Sequence, residues 1–239
     1  YLDITGEIAV FEAMAARNDQ AKKAGMMIMP GVGFDVVPSD CLANHLKSRM
    51  PDATDLELAF YGLGRISHGT QTTMTMNIGN GGAIRKEGEI VSVPAAFEPR
   101  EIDFGEVKKL GVTIPWGDVS TAFHSTGIPN IKVFTVVPEK QIKLLKLSRY
   151  IGWLLATAPL QSLLQSQIPE GGPSEKEREK GKTLLWGKAT DSEGNSAESR
   201  LQGPEGYKFT MLAALNIADF TVAEIFINTS SNFLVSTVT

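Results

Sequence analysis

Apolar and polar positions along this chain follow two successive patterns, and the change falls near residue 50. Tyr1 to Thr5 reads as a buried strand, Gly6-Glu7 as a turn, and Ile8 to Ala24 as a helix dominated by alanine and charged residues. Gly25 stands where a helix C-cap is expected. Met26-Met27-Ile28-Met29 is a short, wholly apolar run, the pattern of a parallel strand covered on both faces. Pro30-Gly31-Val32-Gly33 breaks that run, Ser39 or Asp40 caps a helix to about Met50, and Pro51 ends it. This β-α-β-α order with short loops predicts a doubly wound α/β sheet.

Beyond residue 50 the elements become mixed. Asp55 to Tyr61 reads as a strand and Gly62 to Gly69 as a loop, while Thr70 to Asn80 fits a helix or a strand equally well. Glu89 to Val93 and Val112 to Pro115 read as short strands, and Ile131 to Val137 as a β-branched strand stopped by Pro138. Glu139 to Leu164 carries helical periodicity with a break near Ser148 or Pro159. Ser174 opens a solvated helical turn over Glu175 to Lys180. Thr183 to Thr190 and Ser196 to Gln202 flank Asp191-Ser192-Glu193-Gly194-Asn195, a hairpin signal. A final helix runs from Pro204 or Tyr207 to about Phe226. The change of pattern divides the chain into an α/β part, 1–52, and an α+β part, 53–239.

Composition narrows the class. Of 239 residues, 42% are hydrophobic and 21% charged, enough for a real core. The formal net charge of -4 gives no general attraction for nucleic acid or an anionic membrane, so no nucleic-acid partner is expected. One cysteine, Cys41, precludes an internal disulfide, and three histidines leave too few ligands for a Cys/His zinc cluster, so no metal is expected. Tyr1-Leu2-Asp3-Ile4-Thr5 lacks the basic segment of a signal peptide, which points to a cytoplasmic protein. A strand at residue 1 and an end without a closing helix or charged tail suggest an internal piece of a longer protein. The longest apolar stretch, Tyr150 to Leu164, has 15 residues and includes Pro159, Gln161 and Ser162. That falls short of the roughly 20 needed for a transmembrane span. It reads as a core helix or, with Lys143, Lys146 and Arg149 upstream, as a lipid-facing or partner-facing one.

Candidate chemistry gathers at the turns. In Pro30-Gly31-Val32-Gly33-Phe34-Asp35, two glycines after a buried strand let backbone approach a flat ring or a phosphate, or make a plain strand-to-helix turn. The turn is no GxGxxG fingerprint, since position 36 is Val, and no P-loop or GxSxG motif occurs. Gly79-Asn80-Gly81-Gly82 reads as a loop. Asp35 and Asp40 could hydrogen-bond a ligand, with helix capping the alternative for Asp40. Glu7 could touch a ligand or complement a helix dipole. His45 reads as structural, whereas His68 and His124, placed in small-residue loops, have the side chains suited to proton transfer near neutral pH. Cys41 reads either as a thiol activated by a helix start or as small buried filler.

Five segments, in order, carry a resemblance. They are Tyr1 to Glu7, Pro30 to Asp40, Ser67-His68-Gly69-Thr70, Ser125-Thr126-Gly127-Ile128-Pro129-Asn130-Ile131 and Pro204-Glu205-Gly206-Tyr207. Over residues 1–217 the chain resembles the saccharopine dehydrogenase-like oxidoreductases, a group that includes the trans-acting enoyl reductases. The resemblance implies the C-terminal part of a Rossmann-type parallel sheet followed by an α+β substrate and dimerisation domain, the N-terminal glycine-rich part being absent. It implies NADP or NAD as cofactor, with Thr5, Gly6, Glu7, Gly31, Val32, Gly33, Phe34 and Asp35 on the nicotinamide side. His68 and His124 would be catalytic, and Thr70 and Ser125 would face the substrate in the same cleft. Hydride transfer to or from a small or lipid-like substrate follows, with an enoyl reductase among the expectations and a homodimer as the assembly. An amino-acid substrate would call for paired arginines. Arg65, Arg85, Arg100, Arg149, Arg178 and Arg200 are scattered. Ala223 to Thr239, with neither Gly nor Pro, departs from the family's Gly- and Pro-containing closing segment. The alternative from another class is a non-catalytic lipid-surface or protein-interaction module that retains the fold, with peripheral membrane contact through the Tyr150 to Leu164 helix.

Overall fold

In the computed structural model, residues 1–63, 68–69, 71–72, 81–155 and 157–235 are described, the side chains at 63, 148, 151–155 and 222–235 excepted. The first fifty residues bring two chain segments side by side. Leu2 and Met29 form one parallel bridge, flanked by hydrogen bonds from the Met29 N–H to the Tyr1 carbonyl (2.9 Å) and from the Val32 N–H to the Asp3 carbonyl (2.8 Å). The strands expected at 1–5 and 26–29 reduce to this bridge. Met26 and Met27 are 55% and 46% exposed, so the apolar run is not covered on both faces as expected.

The helix expected over 8–24 is two helices, α1 (Ile8–Ala15) and α2 (Asn18–Lys23), because the backbone leaves the helical region at Arg17. Gly25 ends the second with φ +62, the left-handed conformation expected of it. Helix α3 (Val37–Arg49) begins ahead of both residues expected to cap it, with Pro38 in its first turn. The Ser39 hydroxyl donates to the Val36 carbonyl (3.1 Å), and the Asp40 carboxylate accepts from Ser125, so neither caps the helix.

The remaining elements are β1 (Asp55–Leu63), β2 (Gly82–Lys86), β3 (Glu89–Val93), β4 (Arg100–Asp103), β5 (Lys108–Thr113), α4 (Asp118–Thr126), β6 (Asn130–Val136), α5 (Glu139–Leu155), α6 (Ala158–Ser166), α7 (Glu175–Lys180), β7 (Lys182–Thr190), β8 (Ser196–Pro204) and α8 (Gly206–Val235). The last helix runs nine residues past the expected Phe226. The loop expected at 62–69 and the segment 70–80 lie largely outside the described residues. The fold is mixed α/β, as the sequence predicts. The sheet order is β3-β2-β6-β1-β7-β8, and β5, which pairs with β4, adds to β6. β1 lies between β6, parallel to it, and β7, antiparallel to it.

Alternation along these strands fills both faces of the sheet. Leu56, Leu58, Ile131, Val133 and Leu185 point to one side, where Leu42, Ala43 and Leu46 of α3 and Val119 and Ala122 of α4 cover them. Gly187 of β7 lets α3 lie close, since a Cβ there would stand 2.7 Å from a Leu46 methyl. Ala59, Phe134, Leu184 and Trp186 point the other way, onto Ile102 and Phe104. Ser174 opens α7 with a full capping box, its hydroxyl accepting from the Glu177 N–H (3.3 Å) and the Glu177 carboxylate accepting from the Ser174 N–H (2.7 Å). No helix among the described residues is long and apolar enough to cross a membrane.

Candidate functional site

Two turns, 5–7 and 31–35, meet the Trp116-Gly117-Asp118 corner that opens α4. Glycines make the close meeting possible. Asp35 lays its carboxyl where a Cβ on Gly6 would stand, so a larger residue at position 6 would displace that carboxyl. Gly31 has φ +77, and a Cβ there would lie 2.8 Å from the Phe11 ring; at Gly117 it would lie 2.7 Å from the same ring. Phe11, buried on α1, thus sits between the 31–35 turn and the Trp116-Gly117-Asp118 corner. Gly33 is packed by Thr210, 3.1 Å from where its Cβ would be, and by Ile4. Val32 is buried beside it. The Phe34 N–H donates to the Thr210 hydroxyl (3.2 Å), which fixes the start of α8 against this turn. Buried Glu205 holds the same helix end, its carboxylate accepting from the Tyr207 and Lys208 N–H groups (3.0 and 3.1 Å). An aromatic row continues outward. Phe34 meets Phe60 (5.9 Å) and Phe209 (6.0 Å) edge-on, and Phe60 lies tilted on Trp116 (4.6 Å).

Carboxylates gather behind the turns. Glu7 is exposed, accepting from the Thr5 hydroxyl and from the Gly6 N–H (3.2 Å). Asp35 is pushed up to about 6, by burial first and by the negative charge of Glu7 second. Burial also raises Asp40, against which the Ser125 hydroxyl, donating at 2.8 Å, works in the opposite direction. Asp118 is wholly buried, and neither of its oxygens has a hydrogen bond of acceptable geometry. Burial pushes it well above the ordinary carboxylate range; the neighbouring Ser39 hydroxyl opposes that push, and Asp40 and Asp35 add to it. The fold therefore favours the protonated form of Asp118 over the carboxylate. Cys41 is exposed, not buried filler, and partial burial of its thiol together with Asp40 raises it, the reverse of activation. His45 is exposed on α3 rather than packed in a core.

A second network ties α1 to the rest of the molecule. Buried Arg85 donates to the Val119 carbonyl (2.8 Å), the Gly88 carbonyl (2.6 Å) and Glu12 (2.6 Å), and its guanidinium lies 4.2 Å from the Phe123 ring centre. Ser120 donates to the same Glu12 oxygen (2.7 Å). Burial alone would raise Glu12, yet Ser120, Arg85 and His124 together hold it below its usual value.

The structure brings Thr5, Gly6, Glu7 and Gly31 to Asp35 together, while Ser125 bonds Asp40 in the first turn of α3. His124 lies in the last turn of α4, not in a loop, with Nε2 3.7 Å from Glu12. His68 faces elsewhere. Its N–H donates to the Gly171 carbonyl (2.8 Å), and its Nδ1 lies 3.3 Å from the Pro169 carbonyl. Thr70 lies outside the described residues. Sequence reasoning missed Asp118, Trp116, Glu12 and Arg85. For Asp118 a signal existed, an acid directly after Trp116-Gly117 at a helix start. For Glu12 and Arg85, 73 residues apart, none did. Among the described residues, no group of three or more His, Cys, Asp or Glu could hold a metal ion.

No family model matches the chain, and no curated protein matches it. Among solved structures it is similar to apo saccharopine dehydrogenase (L-Glu forming) from Saccharomyces cerevisiae, at 13% identity and a TM-score of 0.45, over 84% of this chain. The chain spans 65% of the length of that protein. The likeness is one of backbone shape.

Proposed function

We propose that this chain forms part of a nicotinamide-dependent oxidoreductase, with hydride passing between NADP(H) or NAD(H) and a C=C, C=N or C=O bond of a small or lipid-like substrate. The observation that carries this reading is the parallel bridge between Leu2 and Met29. It sets the turns at 5–7 and 31–35 side by side, following parallel segments, where open α/β sheets take their ligands. On this reading residues 1–52 end a dinucleotide-binding part and residues 53–239 cover the substrate.

The donor set suits the carboxamide of a nicotinamide. Glu7 and Asp35 offer acceptors for an amide NH2, and the Thr5 hydroxyl and Gly6 N–H, which donate to Glu7 in the unliganded chain, turn to the amide carbonyl as the NH2 engages Glu7. The glycines serve this indirectly. Gly31 and Gly33 are taken up by Phe11, Ile4 and Thr210, so they hold the turn rigid rather than leaving open backbone. When bound, the cofactor supplies the hydride in its reduced form or takes it up in its oxidised form. The chain's residues orient the ring at 5–7, exclude water with Phe34, Phe60 and Trp116, and handle protons along α4. There His124 adjoins the Glu12 carboxylate, Ser125 bonds Asp40, and Asp118 is buried at the start of the same helix, where burial favours its protonated form. His68 belongs to this reading only if the 169–171 segment it contacts also borders the substrate. Arg85, Arg100, Arg149 and Arg200 already bind Glu12, Glu57, two carbonyls and Asp103, which favours a substrate without paired carboxylates, an enoyl compound included.

Saturation-transfer NMR with nicotinamide mononucleotide tests the reading, because the 239 residues hold candidates for the nicotinamide end alone. The mononucleotide should show transfer from the protein, weakened in Glu7→Gln, while adenosine monophosphate should show none. No signal from nicotinamide mononucleotide, or an equal signal in Glu7→Gln, removes the proposal.

A further inference from the structure

The helices α5 and α6 stand apart in how little they bury. In α5, Ile142 packs with Ala96 and Val112, and Leu145 lies beside them, so one side of the helix faces the sheet. Arg149 pins that side by donating to the Ala95 and Ala96 carbonyls (2.8 and 3.1 Å). The opposite side carries Leu144, Leu147 and Tyr150, exposed by 65%, 54% and 78%. At 100° per residue these three fall within about 120° of the circumference, and Lys140 and Lys143 share that arc. α6 buries no residue at all, leaves Leu163 exposed, and packs chiefly on α5.

Charge says what covers this surface. From Glu139 to Ser166 the sequence holds Lys140, Lys143, Lys146 and Arg149 against the single carboxylate Glu139, in a chain whose net charge is -4. Leucines and a tyrosine interleaved with lysines on one exposed face match the boundary of an anionic bilayer. The apolar side chains enter the acyl region there, and the lysine stems extend to the headgroups. A second copy of the chain fits poorly, since a two-fold contact through this face would set lysine against lysine. Neither helix is long enough to span, so contact lies in the plane of the interface.

We propose that α5 and α6 form a peripheral docking surface for membranes bearing anionic lipid. Vesicle flotation of the full chain tests it. The probe is phosphatidylcholine vesicles with or without about 30 mol% phosphatidylserine, near the anionic content of a cytoplasmic leaflet. The chain should float with the anionic vesicles, stay behind with the neutral ones, and lose binding as salt rises from about 0.1 to 0.5 M. Leu144→Asp combined with Leu147→Asp should lower partitioning at least about tenfold, and so should Lys140→Glu with Lys143→Glu, each lysine contributing about fivefold. All four positions are exposed, so both variants should keep the parent circular dichroism and unfolding midpoint. Three results would overturn the proposal. They are no flotation with anionic vesicles, variants that float like the parent, or a parent dimer in sedimentation velocity that the leucine variant dissociates.

Discussion

Asp35→Asn should make the protein more stable, and only above a defined pH. The unfolded carboxyl titrates near 3.8 and the folded one near 6, raised by burial and by Glu7. Below about pH 4 both states hold the proton, and the group contributes nothing. Between about pH 4 and pH 6 the unfolded chain releases its proton first, so stability falls as pH rises. Above that window the penalty is complete. At 1.36 kcal/mol per pKa unit it comes to about 3 kcal/mol, or about 2 after allowing for the partial contact of Asp35 with solvent. Asn keeps the shape of Asp, so it still fits in the space left by Gly6, and it carries no charge. Urea unfolding of parent and variant at about pH 3.5 and pH 7.5 reads the difference directly. The variant should match the parent in acid and exceed it by about 2 kcal/mol at the higher pH. An equal difference at both pH values, or a variant less stable at pH 7.5, would refute the account of Asp35 as a charge held out of water by the fold.

Two further outcomes follow from packing. Arg85→Met should lower stability by about 3 kcal/mol or more in urea unfolding, because it strips three hydrogen bonds and leaves the Glu12 charge facing a buried surface. Adding Glu12→Gln should restore part of that, and a loss under about 1 kcal/mol would show that the network does not hold α1. Gly31→Ala and Gly25→Ala both force a side chain into the left-handed region, but only at Gly31 does the new methyl meet the Phe11 ring. Thermal unfolding should therefore rank Gly31→Ala well below Gly25→Ala, whose cost should stay near about 1 kcal/mol, and equal midpoints would contradict the packing described around Phe11.

What the sequence disclosed was local. The β7–β8 hairpin, the Ser174 capping box and the Gly25 helix end each depend on a few neighbouring residues, and all three stand where the pattern placed them. The failures needed knowledge of distant partners. The run Met26 to Met29 has the composition of a covered strand, yet nothing in its own residues says whether a neighbour exists, and Met26 and Met27 lie exposed. Asp40 had the composition of a cap, and a serine 85 residues away took its carboxylate instead. The site divides the same way. The turns at 5–7 and 31–35 were readable as strand ends, whereas the buried acid Asp118 and the Glu12–Arg85 bond arise only when separate elements close on one another.

The position of β1 bears on how the chain emerges from the ribosome. Asp55 pairs with Asn130, 75 residues further on, and with Thr190, 135 residues further on. At a synthesis rate of about 5–20 residues per second, the second partner arrives roughly 7–27 s after the strand itself. Leu56, Leu58 and Ala59, all fully inside in the finished fold, belong to a nascent strand with both edges bare until β6 is made, roughly 4–15 s on, and with one edge bare until β7 follows. Helix α3, made just before it, can shelter one face at once, because Leu42 and Leu46 belong to the same cluster as Leu56 and Leu58. The edges have no such cover, so translation speed across residues 64–190 and the chaperones present during it govern the yield of folded protein.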